Sequence, residues 1–414
     1  MTDNEIREFQ FEGQMDLRSV IREGAPNGEE SEVTIHHDDC LTALRAMPDA
    51  SVSAIVTDPP YGLSKTDPAS VADTITKWAT GDREHVPTGR GFMGKSWDSF
   101  VPPPAVWDEC LRVLKPGGHM VVFAGSRTQD LMGLSIRLAG FEIRDSVAWL
   151  YGSGFPKSMN VSKAIDKTAG GGHSGVGGQW EGWGTALKPA HEPVIVARKP
   201  LSGTVAANVQ EHGTGALNVD GCRIQATDAP EGRKRHGGGR PFADGESGFT
   251  MESRTGAQPA GRFPANVILD ESQAAELDQQ SGITKSTAGN RGERTGAVYG
   301  GGKGPSGPAT VRGHNDVGGA SRFFYTSKAS KSERPVVDGT AHPTVKPLAV
   351  MRWLIRLTTP PGGMVLDPFA GSGTTIEAAI IEGFPVIGVE READYLPLIQ
   401  ARIDRATALT PPPE

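Results

Sequence analysis

The chain is organised around an apolar run that stops at two prolines, Ala54-Ile55-Val56-Thr57-Asp58-Pro59-Pro60-Tyr61. The apolar half predicts a buried strand, which the prolines end. In an open α/β sheet, ligands bind beyond the carboxyl ends of the strands, where Asp58 and Tyr61 would stand. The prolines also remove two amide donors and leave nearby carbonyls free to accept hydrogen bonds. This stretch therefore predicts a site for a planar ligand with an amino group, although alone it also fits a surface turn.

A second stretch reads as strand, glycine turn and helix, Met364-Val365-Leu366-Asp367-Pro368-Phe369-Ala370-Gly371-Ser372-Gly373-Thr374-Thr375. A helix that opens at Thr374, directly after the glycines, is how nucleotide-type cofactors are cradled. The next strand ends at Glu390, about twenty residues on, the spacing at which such folds bond a ribose hydroxyl. A solvated acid at a strand's end is the plain alternative for Glu390. The stretch predicts a cofactor site.

These motifs resemble the beta class of S-adenosylmethionine-dependent DNA amino-methyltransferases. Asp-Pro-Pro-Tyr at 58–61 precedes Asp-Pro-Phe-Ala-Gly-Ser-Gly-Thr at 367–374, and the flanking motifs are His342-Pro343-Thr344-Val345-Lys346-Pro347 and Asp39-Cys40-Leu41. The resemblance covers about residues 31–200 and 323–405. It implies an α/β fold with a doubly wound, Rossmann-like methyltransferase sheet. In this class the catalytic half precedes the cofactor half, a circular permutation of the more familiar order.

The resemblance also assigns roles to individual residues. The catalytic group would be Asp58, Pro59, Pro60 and Tyr61. Residues that would bind the cofactor, S-adenosylmethionine, are Asp39, Lys346, Asp367, Pro368, Phe369, Gly371, Gly373, Thr374 and Glu390. Asp39 would lie near the adenine of the methyl donor, and its spacing fits a helix N-cap equally well.

The predicted chemistry follows from the target amine, whose lone pair is delocalised into the base. Asp58 and the Pro59 carbonyl, accepting its two hydrogens, would localise that pair and aim it at the methyl sulfonium. Tyr61 would stack on the base after it leaves the duplex. None of the three cysteines follows a proline, which argues against methylation of a cytosine ring carbon.

In this family an initial Asp in the tetrapeptide is more often found in adenine enzymes. We therefore predict N6-adenine methylation of double-stranded DNA at a specific site. Methylation of the cytosine N4 amine needs the same acceptors and stays open. So do an RNA or protein-amide methyltransferase and a DNA-binding regulator that has lost its activity.

The character of the chain changes in its middle, where 32 of the 54 glycines fall between residues 170 and 319. Ordinary sheet and helix cannot fill this region throughout. Residues 285–334 carry nine Lys or Arg against three Asp or Glu, a balance of +6. Because the resemblance places a variable target-recognition region here, we predict such an insert at 201–322, partly disordered. Its candidate DNA contacts are Arg291, Arg294, Arg312 and Arg322, and a solvated linker is the alternative.

The remaining segments complete the predicted organisation. Residues 1–30 form a flexible arm, 31–200 the catalytic half and 323–414 the cofactor half of one methyltransferase domain. Residues 62–100 form a long loop that is either a lid over the target or an inert insertion.

Composition limits which binding partners and which cellular compartment we expect for the chain. A net charge of -7 and a pI of about 5.9 give no global basic footprint. Without Cys-x-x-Cys spacing no metal site or disulfide framework is indicated, and no apolar run reaches the length of a membrane span. We expect a cytoplasmic monomer or homodimer, either as an orphan enzyme or in a restriction-modification system whose restriction endonuclease is a separate chain.

Overall fold

The structure, a computed structural model, describes residues 32–64, 66–87, 89, 98–156, 158–169, 176–224, 261–286, 289–291, 310–312, 316–327, 333–337 and 339–409. The predicted arm at 1–30 lies outside these residues. So do Arg294 and the side chains of Arg291 and Arg312, and their predicted DNA contacts stay predictions.

Strands and helices alternate along the first and last thirds of the chain. The strands are β1 Val33–His37, β2 Val52–Thr57, β3 Leu114–Phe123, β4 Glu142–Leu150, β5 His191–Arg198, β6 Val267–Asp270, β7 Thr284–Ser286, β8 Gly289–Arg291, β9 Thr310–Arg312, β10 Asp316–Gly318, β11 Tyr325–Ser327, β12 Val365–Asp367 and β13 Val386–Glu390. The helices are α1 Cys40–Ala46, α2 Pro68–Thr80, α3 Pro104–Val113, α4 Gln129–Leu138, α5 Val161–Thr168, α6 Val205–His212, α7 Glu271–Ser281, α8 Leu348–Thr358, α9 Thr374–Glu382 and α10 Leu396–Leu409.

Nine of these strands form one sheet in the order β1-β13-β12-β2-β3-β5-β4-β6-β11. From β1 to β3 in that order every neighbouring pair is parallel, whereas β5 runs against both of its neighbours. Strands β2 and β12 pair side by side, with Ala54 opposite Val365. The predicted α/β class is confirmed, and the two strands that carry the motifs are neighbours. The circular permutation stays a prediction.

Helices cover both faces of this sheet, which explains why all six residues of β2 are buried. On one face, α1, α3 and α4 pack in a cluster with Ile55 of β2 and Met120 of β3, and Trp107 lies at its centre without exposed surface. Helices α8, α9 and α10 pack against one another, and α9 also contacts β12 and β13. This layered arrangement leaves the strand ends as the place for a site.

The predicted loop at 62–100 contains a helix, so the expectation of a loop throughout was wrong. Helix α2 begins after Asp67, whose side chain accepts a hydrogen bond from the amide of Ser70, and Pro68 occupies the first turn. Trp78 is buried and packs edge-on against Phe100, with ring centroids 5.8 Å apart. The Asp-Pro start was a readable helix signal. The glycines elsewhere in residues 62–100 favoured the interpretation as a loop over this helix signal.

The chain divides into two compact units, one of residues 1–218, 266–273 and 326–414, the other of 219–265 and 274–325. The sheet-bearing unit therefore extends into the predicted insert at 201–322, through α6 and residues 266–273. In the described part of the second unit, β7 pairs with β10 and β8 with β9.

Arg322, a predicted DNA contact, is engaged inside the second unit. Its Nη1 donates to the carbonyls of Gly318 and Gly319, both at 2.6 Å, and its guanidinium lies 4.3 Å from the ring centroid of Phe323. The Nε atom is 3.3 Å from the buried carboxylate of Asp316, which also forms an ion pair with Arg262. These contacts give Arg322 a role in holding its own unit together.

Candidate active site

A cavity of about 1020 Å³ opens at the edge where the parallel strands end. It lies in the sheet-bearing unit, and the predicted residues that line it are Asp39, Asp58, Pro59, Pro60, Tyr61, Lys346, Asp367, Pro368, Phe369, Gly371, Thr374 and Glu390. Gly373 is one residue from this lining. The predicted lid segment contributes Leu63, Glu84, Val86 and Asp98 to Phe100. The catalytic and cofactor motifs therefore share one cavity.

Asp58 stands at the end of β2 with its two carboxylate oxygens in different surroundings. Oδ2 accepts a hydrogen bond from Nζ of Lys346 at 2.7 Å. Oδ1 is buried and has no hydrogen-bond partner among the described residues. A buried carboxylate oxygen without a partner is costly, so its presence points to a ligand that donates to it.

Tyr61 is held from both ends. Its hydroxyl donates to Oε2 of Glu192 at 2.9 Å, and its carbonyl accepts from the hydroxyl of Thr128 at 2.6 Å. Gly62 follows with φ of +63°, and a Cβ there would lie 2.6 Å from the amide nitrogen of Val101. Only glycine fits that turn. The ring is therefore fixed at the cavity wall.

Lys346, which the resemblance assigned to the cofactor, lies at the catalytic motif. Besides Asp58, its Nζ is 3.3 Å from Oε2 of Glu192 and 5.2 Å from the ring centroid of Tyr61. Burial works against the charged ammonium, but Asp58 and Glu192 outweigh it and raise the pKa of Lys346 above its ordinary value. Lys346 is a buried cation held by two acids.

Glu192 is the principal site residue that the sequence did not reveal. It is the second residue of β5, paired with Trp149, and β5 runs antiparallel to β3 and β4. Because β3 and β4 run in the direction opposite to β5, the amino end of β5 lies beside the carboxyl ends of β3 and β4. This brings Glu192 to the cavity. The apolar run Pro193-Val194-Ile195-Val196-Ala197 is typical of a strand, but the run does not indicate the direction of that strand.

The glycine turn after β12 is bonded to the end of β13. Gly371 has φ of +53° and its amide donates to Oε2 of Glu390 at 2.7 Å, while the amide of Glu392 donates to Oε1 at 2.7 Å. Gly373 has φ of +81° and precedes α9. Burial raises the pKa of Glu390 to about 7. Each oxygen of Glu390 keeps a second lone pair with which a hydroxyl could bond.

Asp367 connects the two motifs. Its Oδ1 accepts from the hydroxyl of Thr57 at 2.6 Å and from the amide of Phe369 at 3.0 Å. Burial raises the pKa of Asp367 to about 6, against the opposing effect of hydrogen bonds from Thr375 and Thr57. The contacts of this carboxylate therefore shape the loop, although it also lines the cavity.

Asp39 combines both interpretations that the sequence left open. Its side chain accepts from the amide of Leu41 at 3.0 Å and caps α1, and the residue also lines the cavity. An N-cap carboxylate keeps acceptor capacity for a further donor.

The cavity is strongly acidic. Among its described lining residues, ten Asp or Glu face three Lys or Arg. Such a site favours a cationic ligand.

Among the described residues there is no cluster of three or more His, Cys, Asp or Glu that could hold a metal ion. The helices within the described ranges are all too short or too polar to cross a membrane.

The chain belongs to the N6/N4 DNA methylase family, whose model matches residues 52–401. The resemblance predicted from the motifs is thereby confirmed at the level of the family.

Particular relatives match over shorter lengths. The Type II methyltransferase M.HindIII of Haemophilus influenzae is 26% identical over 202 residues, which are 44% of this chain and 64% of that protein. The DNA adenine methyltransferase YhdJ of Escherichia coli is 44% identical over 66 residues, 16% of this chain and 22% of its own length. In each case less than two thirds of the relative is matched. A solved structure, the cytosine-N4-specific PvuII DNA methyltransferase, superposes with a TM-score of 0.43 at 14% identity over 91% of this chain and 90% of its own.

Proposed function

We propose that this chain transfers a methyl group from S-adenosylmethionine to the exocyclic N6 amine of adenine in double-stranded DNA, at a specific site. The observation that carries the proposal is the buried Oδ1 of Asp58, which has no hydrogen-bond partner among the described residues and lies in the same cavity as the glycine turn at Gly371. Oδ1 of Asp58 requires a hydrogen-bond donor, and the glycine turn suits a nucleoside.

The residues around the glycine turn fit the cofactor. Glu390 has acceptor capacity for ribose hydroxyls, Phe369 offers an apolar surface, and the acidic cavity suits a ligand with a sulfonium charge. When bound, S-adenosylmethionine supplies a methyl group already activated by positive sulfur. Asp39 and Asp367 support this region, one at the start of α1 and one through Thr57.

The catalytic motif binds and orients the amine. Oδ1 of Asp58 and the carbonyl of Pro59 accept its two hydrogens, so that the nitrogen lone pair turns toward the methyl donor. Lys346 holds Oδ2 and thereby fixes the orientation of the carboxylate. Tyr61 stacks on the base, which reaches the cavity after it has left the duplex at a cost of a few kcal/mol.

The preference for adenine rests on two supports. The motif begins with Asp, as in the adenine enzymes that it resembles, and one relative is named a DNA adenine methyltransferase. Asp58 and Pro59 could equally accept hydrogens from the N4 amine of cytosine, so the test must identify the base.

Methylation-sensitive long-read sequencing of DNA from a host that expresses the chain reports both the base and its sequence context. We expect N6-methyladenine at one recurring sequence, absent from a host carrying the Asp58→Ala variant. N4-methylcytosine at a recurring sequence would overturn the adenine assignment, and unmodified DNA would overturn the function. A separate restriction endonuclease and the monomer or homodimer state stay predictions.

A further inference from the structure

A buried group of four side chains surrounds the place where the amine would bind. Oε2 of Glu192 accepts from the hydroxyl of Tyr61 at 2.9 Å and lies 3.3 Å from Nζ of Lys346, which in turn bonds Asp58 at 2.7 Å. The side chain of Lys346 is 7% exposed, and those of Asp58 and Glu192 are about one fifth exposed. Because these side chains are mostly buried, solvent screens their charges less than it would at the protein surface.

The charges of this group do not cancel. Asp58 and Lys346 form a neutral pair, and Glu192 adds one negative charge. Burial, then the nearby Asp58 and Glu192, raise the pKa of Tyr61 well above its ordinary value, so the phenol stays protonated and acts as the donor. The group as a whole carries a single negative charge because of Glu192.

The proposed reaction needs such a charge. As the amine nitrogen bonds to the methyl carbon, the carbon–sulfur bond breaks and its electron pair returns to sulfur. The nitrogen then carries a positive charge until one of its protons passes to Oδ1 of Asp58 and on to solvent. Groups that stabilise charge as it develops lower the barrier most when they are buried and fixed beforehand. Asp58 neutralised by Lys346 would be a weak stabiliser.

We propose that Glu192 is a positioning residue that offsets Lys346, leaves the amine site with a net negative charge, and fixes the ring of Tyr61. The proposal rests on the proposed function, because it assigns Glu192 a part in methyl transfer to an amine. Lys346 then orients Asp58, and the negative charge of Glu192 offsets the positive charge of Lys346 at the amine nitrogen.

Glu192→Gln separates charge from shape. The amide oxygen of Gln can still accept from Tyr61, but the negative charge is lost. We expect the single-turnover rate at saturating S-adenosylmethionine and DNA to fall on the order of tenfold to a hundredfold. The Kd values for cofactor and DNA should stay within about twofold, and the thermal midpoint should stay near that of the wild type, since a charge effect on the transition state changes kcat and leaves binding alone.

A second variant tests the charge count directly. Glu192→Asp keeps the negative charge on a side chain that is one methylene shorter, and it leaves the pair of Lys346 and Asp58 in place. We expect this variant to transfer methyl faster than Glu192→Gln does. Tyr61→Phe removes the hydrogen bond to Glu192 while keeping every charge. It should also reduce the rate less than Glu192→Gln does.

Three results would overturn the role of Glu192. These are a wild-type rate in Glu192→Gln, a loss caused by weaker cofactor binding, and a Glu192→Asp variant that is no faster than Glu192→Gln. A wild-type chain that methylates no DNA would instead remove the proposed function, so the two failures can be told apart.

A different observation concerns the connection between β4 and β5, residues 151–190, which we call the β4–β5 lobe. Its two ends lie at the cavity, where Tyr151, Ser153 and Glu192 form part of the wall. The lobe therefore begins and ends beside the cavity that the target base would enter.

The described part of the lobe has a defined conformation. The amide of Val161 donates to the carbonyl of Trp183 at 3.1 Å, the amide of Thr185 to the hydroxyl of Ser158 at 2.9 Å, and the amide of Gly177 to Asp166 at 2.9 Å. Yet α5, within this lobe, buries none of its residues. The hydrogen bonds hold the lobe together without forming a core.

Large apolar side chains are exposed on this lobe. Phe155 is 80% exposed, Trp183 60% and Leu187 92%, and Met159 and Val176 are also exposed. Exposed apolar groups concentrated on an ordered segment mark a surface that another molecule covers. The described residues of the lobe also include Lys163, Lys167 and Lys188 against Asp166 and Glu181, a balance of +1 in a chain whose net charge is -7.

We infer that the β4–β5 lobe docks on the DNA next to the target base, with its aromatic side chains against bases and its lysines near phosphates. Aromatic rings between cationic side chains suit nucleic acid, because the rings stack on bases while the cations meet the backbone. This inference also rests on the proposed function, since it supplies a binding surface for the same substrate.

Phe155→Ala combined with Trp183→Ala tests the lobe. We expect the Kd for duplex DNA, measured by fluorescence anisotropy, to rise at least tenfold, while the Kd for S-adenosylmethionine stays unchanged. Val205→Ala is the matched control: Val205 is exposed on α6, whose Asn208 bonds the carbonyl of Pro116 near the amino end of β3, away from the cavity. Its DNA affinity should equal that of the wild type.

Salt dependence provides the second measurement. Replacing Lys163, Lys167 and Lys188 by Gln should reduce the slope of log Kd against log salt by about 0.9 for each phosphate that is no longer neutralised. Unchanged affinity in the aromatic variant together with an unchanged slope in the lysine variant would overturn the inference. So would a lobe variant that alters the sedimentation of the protein alone, because the surface would then be covered by a second copy.

Discussion

Thr57 donates a hydrogen bond to Asp367 across 2.6 Å, although 310 residues separate them in the chain. Thr57 ends β2 immediately before Asp58, and Asp367 ends β12 immediately before the glycine turn. This bond fixes the separation between the group that would hold the amine and the turn that would hold the methyl donor. Transfer in line requires that separation to be held closely, since small misplacements of reacting atoms are costly.

Asp58→Asn should abolish transfer while leaving cofactor binding intact. The amide keeps the shape but offers a weaker acceptor and no charge, and we expect the single-turnover rate to fall about a thousandfold. Calorimetric titration with S-adenosylmethionine should give the wild-type Kd. Asp73→Asn, on the exposed face of α2, is the control and should be fully active. Methyl transfer at more than a tenth of the wild-type rate by Asp58→Asn would be incompatible with the assigned role.

Glu390 should make cofactor binding and stability depend on pH. Its pKa rises from 4.5 to about 7 in the folded state, so the folded state binds this proton more tightly than the unfolded state does. The stability contributed by that proton is therefore fully present below pH 4.5 and is lost as the pH rises through about 7. Asp367, with its pKa raised to about 6, acts in the same direction.

Chemical denaturation between pH 4.5 and 8 measures this effect, and Glu390→Gln removes one of the two groups. The free energy of unfolding should fall less steeply with pH in Glu390→Gln than in the wild type. The added stability from S-adenosylmethionine should grow from pH 6 to 8 only in the wild type, because ribose hydroxyls favour the ionised carboxylate. Parallel curves for the two proteins would contradict the buried, proton-binding state of Glu390.

Gly373→Ala should weaken cofactor binding beyond its effect on stability. Gly373 has φ of +81°, and a Cβ there would lie 3.1 Å from the Cα of Ile399. Gly383, at the other end of α9, has a similar φ of +79° and provides the matched control. Each Ala variant should lower the free energy of unfolding by about 1–2 kcal/mol.

Only Gly373→Ala should raise the Kd for S-adenosylmethionine, by about tenfold, because Gly373 belongs to the turn and Gly383 does not. Equal cofactor affinity in the two variants would mean that the turn does not hold the ligand.

Glu377→Ala should strongly destabilise the fold. Glu377 and Arg402 form an ion pair without solvent exposure, and Arg405 donates to the same carboxylate. Removing the acid leaves a buried cation without its partner, which costs about 3–5 kcal/mol. Asp73→Ala, which breaks the exposed pair with Lys77, should cost less than about 1 kcal/mol. Equal urea midpoints for the two variants would contradict this difference.

The sequence predicted those features that depend on local pattern and on the rules of parallel sheets. Asp58, Gly371 and Glu390 each follow or end an apolar run, and the carboxyl ends of parallel strands meet at one edge. Their shared cavity could therefore be predicted.

Other features depend on direction and on contacts between distant side chains. Glu192 reaches the cavity only because β5 is reversed, and no local pattern encodes that reversal. Lys346 was assigned to the cofactor because its motif precedes the cofactor strand, whereas in the structure it bonds Asp58. Arg322 was chosen for its charge in a basic run, and its partner Asp316 could not be identified from composition.

The most direct test is transfer of labelled methyl to defined DNA by the purified chain. Duplex DNA is incubated with S-adenosylmethionine carrying an isotopically labelled methyl group, digested to nucleosides, and examined by mass spectrometry. We predict labelled N6-methyladenine with the wild type and none with Asp58→Asn. Absence of any labelled nucleoside, from a folded chain supplied with DNA of varied sequence, would contradict the claim that Asp58 and the glycine turn form one methyl-transfer site.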